Sequence, residues 1–163
     1  MEQGKLINAM QTIPWLKDVS LEHFEKLVGI STLVEIDAKQ ELFHEGDPVN
    51  YLYIVIHGRV AIEMHVPSRG RTRIYTAEPM DVVGWSSVTP IVRRRTAGAK
   101  AVLPSTLVRI DAVKLRQFCE EDCGFGYIFM RQMTNVVASR LLTTRLQLLD
   151  MFADPNRKEG THG

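Results

Sequence analysis

The stretch that decides the fold is Leu42-Phe43-His44-Glu45-Gly46-Asp47-Pro48-Val49-Asn50-Tyr51-Leu52-Tyr53-Ile54-Val55-Ile56-His57-Gly58-Arg59-Val60. Its β-rich segment Tyr51–Ile56 predicts one strand, and Arg59–Val66 predicts the next. His57-Gly58 stands between them, where a two-residue hairpin turn needs a positive φ. The pattern therefore predicts an antiparallel hairpin.

Short β-rich runs separated by turn residues continue on both sides of this stretch. Pro67-Ser68-Arg69-Gly70 predicts a longer hairpin loop. Many short strands with closely spaced turns favour an antiparallel β-roll, a jelly-roll-like barrel, over residues 33–110. The predicted strands are Leu33–Ile36, Tyr51–Ile56, Arg59–Val66, Arg71–Tyr75, Gly98–Leu103 and Thr106–Ile110.

Helices are predicted on both sides of the roll. Ser20 is a suitable N-cap for a helix that runs through Val28, and Asp111 for a helix that runs to about Glu120. A longer helix is predicted over Phe125–Phe152. The predicted fold class is therefore mostly β with flanking helices: an N-terminal helix, and a short and a long helix at the C-terminal side.

The long helix carries two apolar stripes. One stripe can pack on the roll, and the other then favours parallel pairing with a second copy of the chain, a homodimer. The alternative is a single wide face that packs on the core. The first stripe contains Phe129, Met133, Val137, Leu141, Thr144, Leu148 and Met151, and the second contains Leu142, Leu146 and Leu149.

A second informative stretch is Gly84-Trp85-Ser86-Ser87-Val88-Thr89-Pro90-Ile91-Val92-Arg93-Arg94-Arg95-Thr96-Ala97. A glycine lets the backbone approach a ligand closely, and serines at a helix start leave N–H groups pointing outward. An arginine can bind two phosphate oxygens at once. The stretch predicts a phosphate-binding cassette, although three consecutive arginines are equally typical of a solvated loop.

Three features together resemble the cyclic-nucleotide-binding domain superfamily, which includes the catabolite activator protein effector domain and the regulatory subunits of cAMP-dependent protein kinase. They are the Glu45-Gly46-Asp47 turn, the Tyr53–Val60 segment with its Gly58, and the Gly84–Ala97 cassette. The resemblance covers roughly Leu16–Phe152 and implies one such domain over residues 1–152. It implies a regulatory module whose ligand is a cyclic nucleotide such as cAMP, or a related anionic small molecule.

The resemblance also implies which residues bind. Gly84 matches the cassette glycine, and Arg95 matches the arginine that pairs with the cyclic phosphate. Thr144, like its neighbour Thr143, lies about where family members present side chains to the purine. Threonine on a helix also often bonds back to its own backbone. The implied ligand-binding residues are Gly84, Trp85, Ser86, Ser87, Arg95, Thr96, Ala97 and Thr144.

Trp85 departs from the family pattern, in which a glutamate at this position accepts a hydrogen bond from the ribose 2′-hydroxyl. Loss of such a bond weakens binding about ten- to a hundredfold. The tryptophan either stacks on a base or packs into the lid of the roll. Two alternative functions follow: a degenerate domain that serves dimerisation or partner docking, and the sensor half of a transcription regulator.

Composition and the lack of certain motifs argue against several other classes of function. A chain of 163 residues fits one domain, and its net charge of +1 lacks the broad basic face of a nucleic-acid-binding protein, so direct nucleic-acid binding by this chain is not expected. Cys119 and Cys123 do not complete a metal site, and the chain has no Gly-x-Ser-x-Gly elbow or Walker loop. We therefore expect no metal, no cofactor and no enzymatic activity.

No targeting segment or membrane span is visible either. No run approaches the roughly 18 apolar residues of a membrane span, which favours a cytoplasmic protein without membrane contact. Residues 153–163 are predicted to form a disordered polar tail.

Overall fold

Eight strands form the body of the protein. They are β1 (Ser31–Ile36), β2 (Glu41–Phe43), β3 (Tyr51–His57), β4 (Val60–Val66), β5 (Gly70–Ala77), β6 (Val82–Val83), β7 (Gly98–Ala101) and β8 (Ser105–Asp111). The computed structural model describes residues 1–153. One antiparallel sheet has the order β1-β8-β3-β6 and the other the order β2-β7-β4-β5. The predicted β-roll is confirmed, but the described strands do not close into a barrel.

Four α-helices flank the sheets: α1 (Glu2–Gln11), α2 (Leu21–Gly29), α3 (Ala112–Glu121) and α4 (Cys123–Ala153). Short 3-10 turns lie at Pro14–Asp18 and Trp85–Val88. The helices α2, α3 and α4 confirm the three predicted ones. Ala153, the first residue of the predicted tail, is the last residue of α4, and residues 154–163 lie outside the described residues.

Helix capping follows the sequence prediction. The Ser20 hydroxyl accepts a hydrogen bond from the His23 amide at 3.1 Å, and the Asp111 carboxylate accepts one from the Lys114 amide at 3.0 Å. Each side chain satisfies an amide of the first turn that has no partner within its helix. The beginnings of α2 and α3 are therefore encoded locally.

The predicted hairpin at His57-Gly58 is wrong, although Gly58 has the expected positive φ of +92°. Strand β3 pairs with β8 and β6, whereas β4 pairs with β5 and β7, so the chain crosses from one sheet to the other at this turn. Because β3 is buried and has a neighbour on each side, it leaves no free edge for β4. The predicted hairpin at Pro67–Gly70 does form, with Val66 opposite Gly70.

Two apolar clusters fill the interior. One joins the helices to the first sheet and includes the stacked rings of Phe118 and Phe125, whose centroids lie 3.9 Å apart. The other lies between the sheets and includes Val60 and Leu107. Phe43, Ile62, Tyr75 and Val83 pack at this second cluster and also line a cavity next to α4. The inter-sheet core therefore forms the floor of the candidate site.

Candidate ligand-binding site

A cavity of about 230 Å³ lies between the second sheet, the Gly84–Ala97 cassette and α4. No Asp or Glu is among the described residues that line it, whereas two arginines are. The lining consists of Phe43, Ile62, Met64, Ile74, Tyr75, Val82, Val83, Gly84, Trp85, Ser86, Arg95, Thr96, Ala97, Arg140, Thr143 and Thr144. An apolar wall with a few convergent polar groups is typical of a small-molecule site.

The backbone of Arg95 is fixed by the turn at Glu45-Gly46-Asp47. The Arg95 amide donates to the Asp47 carbonyl at 2.9 Å, and the Gly46 amide donates to the Arg95 carbonyl at 2.8 Å. The exposed Arg94 donates from its guanidinium to the Gly46 carbonyl at 2.9 Å. These contacts explain why two stretches that are far apart in the sequence belong to one site.

The Arg95 side chain is buried, with 4% of its surface exposed. Its guanidinium donates to the carbonyls of Gly84, at 3.1 Å, and Tyr51, and lies 4.0 Å from the centroid of the Phe43 ring. Its Nε is buried and has no partner in the described structure. Burial lowers the pKa of Arg95, while the charges of Tyr53 and Asp47 oppose that shift.

The surroundings of Arg95 leave its charge without a direct counter-ion. The described acceptors of its hydrogen bonds are neutral carbonyls, and no salt bridge within residues 1–153 includes this guanidinium. A buried cation without a paired anion is unfavourable. The geometry therefore suits an anion entering the cavity.

The Arg95 guanidinium packs directly against Gly84. Its φ is +84°, in the left-handed region, and a Cβ at this position would lie 2.4 Å from Arg95 Nη1. Only glycine meets both requirements without displacement. The cassette glycine predicted from the sequence thus shapes the arginine position as well as the backbone.

The two predicted serines, in the 3-10 turn after Gly84, differ in whether they line the cavity. Ser86 is buried and lines the cavity. Ser87 is buried but is not among the lining residues, and its hydroxyl donates to the Gly84 carbonyl at 2.8 Å. Arg116 of α3 donates to the Ser87 carbonyl. Ser87 therefore holds the turn in place, and its direct contact with a ligand stays a prediction.

Helix α4 supplies the wall opposite the cassette. Thr143 and Thr144 line the cavity, and the Thr144 hydroxyl donates to the Arg140 carbonyl at 2.9 Å. The back-bonding alternative raised for threonine therefore applies to Thr144 in this structure. Thr96 and Ala97, at the end of the cassette, complete the predicted residues that the structure brings together.

The sequence interpretation missed Arg140. Its guanidinium donates to the Val82 carbonyl at 3.0 Å and lies 3.3 Å from the centroid of the Tyr75 ring. Burial is the main cause of a raised pKa at Tyr75, to which a hydrogen bond to Asp81 adds. The spacing of Arg140 from Thr143 and Thr144, three and four residues, places it on the same face of a helix and was the available signal.

A family model described as a cyclic nucleotide-binding domain matches residues 33–122, more than half of the chain. The chain belongs to this family. The matched range contains both the Glu45-Gly46-Asp47 turn and the cassette, so the resemblance inferred from these motifs is confirmed.

Solved structures share the fold at low identity. The c-di-GMP-responsive global regulator CLP of Xanthomonas campestris has a TM-score of 0.69 at 19% identity, covering 84% of this chain and 66% of that one. The regulatory subunit of a cAMP-independent protein kinase A from Trypanosoma brucei has a TM-score of 0.62 at 16% identity, covering 73% and 42%. At these identities the two structures show a shared fold, and the family match supports a ligand-sensing domain.

Curated relatives match a shorter segment. NTE family proteins of Mycobacterium bovis and Mycobacterium tuberculosis, described as uncharacterized, are 39% identical over 61 residues, which is 36% of this chain. The chain spans about a tenth of the length of these relatives.

Trp85 is the position at which this cyclic-nucleotide-binding domain departs from the family pattern. Its half-buried indole forms part of the cavity wall, where the family glutamate is expected. An indole offers a flat apolar surface and one N–H donor, and it cannot accept a hydrogen bond from a ribose hydroxyl. The cavity therefore has an aromatic wall where the family pattern has an acceptor.

Other candidate groups lie outside the cavity. His44 contacts the carboxylates of Glu41 and Asp47 on the exposed side of the turn.

No group of three or more His, Cys, Asp or Glu side chains in residues 1–153 is arranged to hold a metal ion. None of the described helices is both long and apolar enough to span a membrane.

Proposed function

We propose that this domain is a regulatory sensor that binds a cyclic nucleotide such as cAMP, or a related phosphate-bearing small molecule, in the cavity at Arg95. The observation that carries the proposal is the buried Arg95 guanidinium, which faces a cavity without a described carboxylate. An anionic ligand would supply the missing negative charge. The fold neighbours are described with different ligand responses, so the nucleotide itself is the open part of the proposal.

In this proposal, different cavity residues contact the phosphate and the base of the ligand. Arg95 binds the phosphate, and the Gly84 backbone, Ser86 and Thr96 surround the same end of the cavity. Trp85 offers its ring to the base, and Thr143 and Thr144 approach from α4. Stacking on a tryptophan replaces part of the affinity that the family glutamate provides, because aromatic stacking contributes about 1–3 kcal/mol per base in single-stranded nucleic-acid complexes.

We also propose that α4 forms a parallel homodimer. Residues spaced alternately by three and four along this helix are exposed, which is the pattern of a two-stranded coiled-coil seam. Thr144 belongs to this seam and also lines the cavity, so ligand binding and dimer geometry share a residue. The seam consists of Tyr127, Met130, Thr134, Val137, Leu141, Thr144, Leu148 and Met151.

A ligand that contacts α4 differently in two helix positions shifts the balance between them. In this proposal the output is therefore a change in α4 at the seam.

Trp85 favours a second candidate function, a degenerate domain that dimerises or docks a partner without binding nucleotide.

Calorimetric titration of the purified protein with cAMP and cGMP tests the first proposal. We expect binding by the native protein, and about ten- to a hundredfold weaker binding by Arg95→Gln, because one hydrogen-bonded charge is lost. Arg93→Gln is the matched control, since Arg93 is an exposed arginine of the same run and is not among the described residues that line the cavity.

Equal affinity of Arg95→Gln and the native protein would refute the phosphate role of Arg95. A folded, dimeric protein that binds none of the phosphate-bearing compounds tested would favour the degenerate domain instead.

A further inference from the structure

The cavity contains two guanidinium groups that have no described ion-pair partner. Arg95 donates to the Gly84 and Tyr51 carbonyls, and Arg140 donates to the Val82 carbonyl. No salt bridge among residues 1–153 includes either side chain. The cavity therefore presents two positive charges to an occupant, with no carboxylate among the described lining residues.

The two groups are close enough to act on one ligand. Their anchors, the carbonyls of Val82 and Gly84, are two residues apart on the same segment. Two residues of extended chain span no more than about 7 Å. Both side chains also line one cavity of about 230 Å³, so a single occupant can lie against both guanidinium groups.

Asp81, the acidic residue that contacts Tyr75 under Arg140, is held by other groups. Tyr75 lies under the Arg140 guanidinium, and its hydroxyl donates to Asp81 Oδ2 at 2.8 Å. Asp81 also accepts from the Glu78 amide at 2.9 Å and is not among the described lining residues. On the Arg95 side, Asp47 accepts from the His44 amide at 2.8 Å. Both carboxylates are thus occupied outside the cavity.

We propose that the preferred ligand carries two negative charges on its phosphate end, as a phosphate monoester does, rather than the single charge of a cyclic phosphodiester. A monoester carries a charge of about −1.5 to −2 near neutral pH. Trp85 supports this preference because a glutamate in its place would repel the second charge. The inference rests on the proposed function and specifies its ligand class.

Matched pairs of nucleotides test this preference. The probes are AMP with cAMP and GMP with cGMP, titrated into the full chain near neutral pH. At least one 5′-monophosphate is expected to bind about ten- to a hundredfold more tightly than the cyclic form of the same nucleoside, a difference equivalent to one hydrogen bond to a charged group.

Variants of Arg140 assign the preference to this residue. Arg140→Gln should weaken monophosphate binding about tenfold or more while changing the affinity for the cyclic form much less. Arg140→Lys keeps the charge and should keep the preference. Arg131→Gln is the matched control on the same helix, because Arg131 is exposed and lies over the Tyr127 ring outside the cavity. Thermal melts confirm that each variant is folded.

The outcomes separate the two proposals. If neither monophosphate binds more tightly than its cyclic form and Arg95→Gln weakens the binding of both forms, the sensor function stands and the double-charge preference is wrong. If Arg140→Gln weakens both forms equally, Arg140 is only a structural part of the wall and the inference is also wrong. If no probe binds at millimolar concentration, the inference and the proposed nucleotide-sensing function both fail.

Discussion

At the residue scale, the contact between Gly84 and Arg95 gives a sharp prediction. Gly84→Ala places a side chain at a φ of +84° and a Cβ 2.4 Å from Arg95 Nη1. A left-handed conformation costs a non-glycine residue roughly 1–2 kcal/mol. We expect a loss of stability of at least that size in urea denaturation, together with weaker ligand binding because the guanidinium is displaced.

The control is Gly70→Ala, in the hairpin loop and not among the described residues that line the cavity. Gly70 has a comparable φ of +72°, but a Cβ there would meet nothing within 4 Å. It should show the stability loss without the binding loss. If both variants bind ligand like the native protein, the Gly84–Arg95 contact does not shape the site.

Which site residues the sequence predicts depends on whether a local pattern marks them. Gly84 and Arg95 belong to one short motif, so the family resemblance identified them, and the structure brings them into contact. Arg140 comes from a different part of the chain, and only α4 packing places it in the cavity. Ser87 matched the motif by position, yet its hydroxyl turns to the Gly84 carbonyl, a direction that position alone does not encode.

At the element scale, the junction of α3 and α4 depends on Asp122. Its carboxylate accepts from the Phe125 amide at 3.1 Å, which caps the first turn of α4, and contacts His23 Nε2 of α2 at 2.7 Å. The amide hydrogen bond from Phe125, followed by the His23 contact, holds the pKa of Asp122 below its ordinary value of 3.8. One carboxylate therefore joins three helices.

A lowered folded-state pKa stabilises the fold above the unfolded pKa, and this contribution is lost as the pH falls through the folded value. We expect the native protein to be more stable than Asp122→Asn at neutral pH, with the difference shrinking below about pH 4. Urea denaturation across this range measures it. Asp122→Ala, which also removes the cap, should be less stable than Asp122→Asn at every pH. A pH-independent difference between the native protein and Asp122→Asn would refute the role of this ionised carboxylate.

The elements that the sequence predicted are those with a local cause. Caps at Ser20 and Asp111 mark helix starts because the capping bond spans only three residues. The pairing at His57-Gly58 was wrong because partner choice depends on which edges the rest of the sheet has already taken, here by β8 and β6. Strands as short as β2 and β6 carry too few residues to show alternation.

At the scale of the whole molecule, α4 has separate faces for its own domain and for solvent. Phe129 and Met133 are buried in the domain, and farther along the same face Gln147 donates to the Ile74 carbonyl at 3.0 Å. The predicted first stripe combined Phe129 and Met133 with Val137 and Leu141, which the structure leaves exposed. Periodicity alone cannot separate these faces, because each repeats with the same spacing along the helix.

The exposed seam predicts a dimer of twice the 18.5 kDa chain mass in multi-angle light scattering. Leu141 and Leu148 lie on the seam, exposed by 49% and 52% in the single chain. We expect Leu141→Glu combined with Leu148→Glu to give a folded monomer, because paired helices would bring four carboxylates into one apolar core.

The matched control is Leu142→Glu combined with Leu149→Glu, on the second stripe, where the leucines are exposed by 59% and 62%. Each control residue directly follows its counterpart on the helix, so helix propensity and net charge change equally in the two double variants. Only the face of the helix differs between them.

A monomeric native protein would refute the dimer, and a control that dissociates while the seam variant stays dimeric would place the interface on the second stripe. If the seam variant alone dissociates, its ligand affinity can be compared with that of the native dimer, which measures directly how strongly pairing along α4 is coupled to the cavity through Thr144.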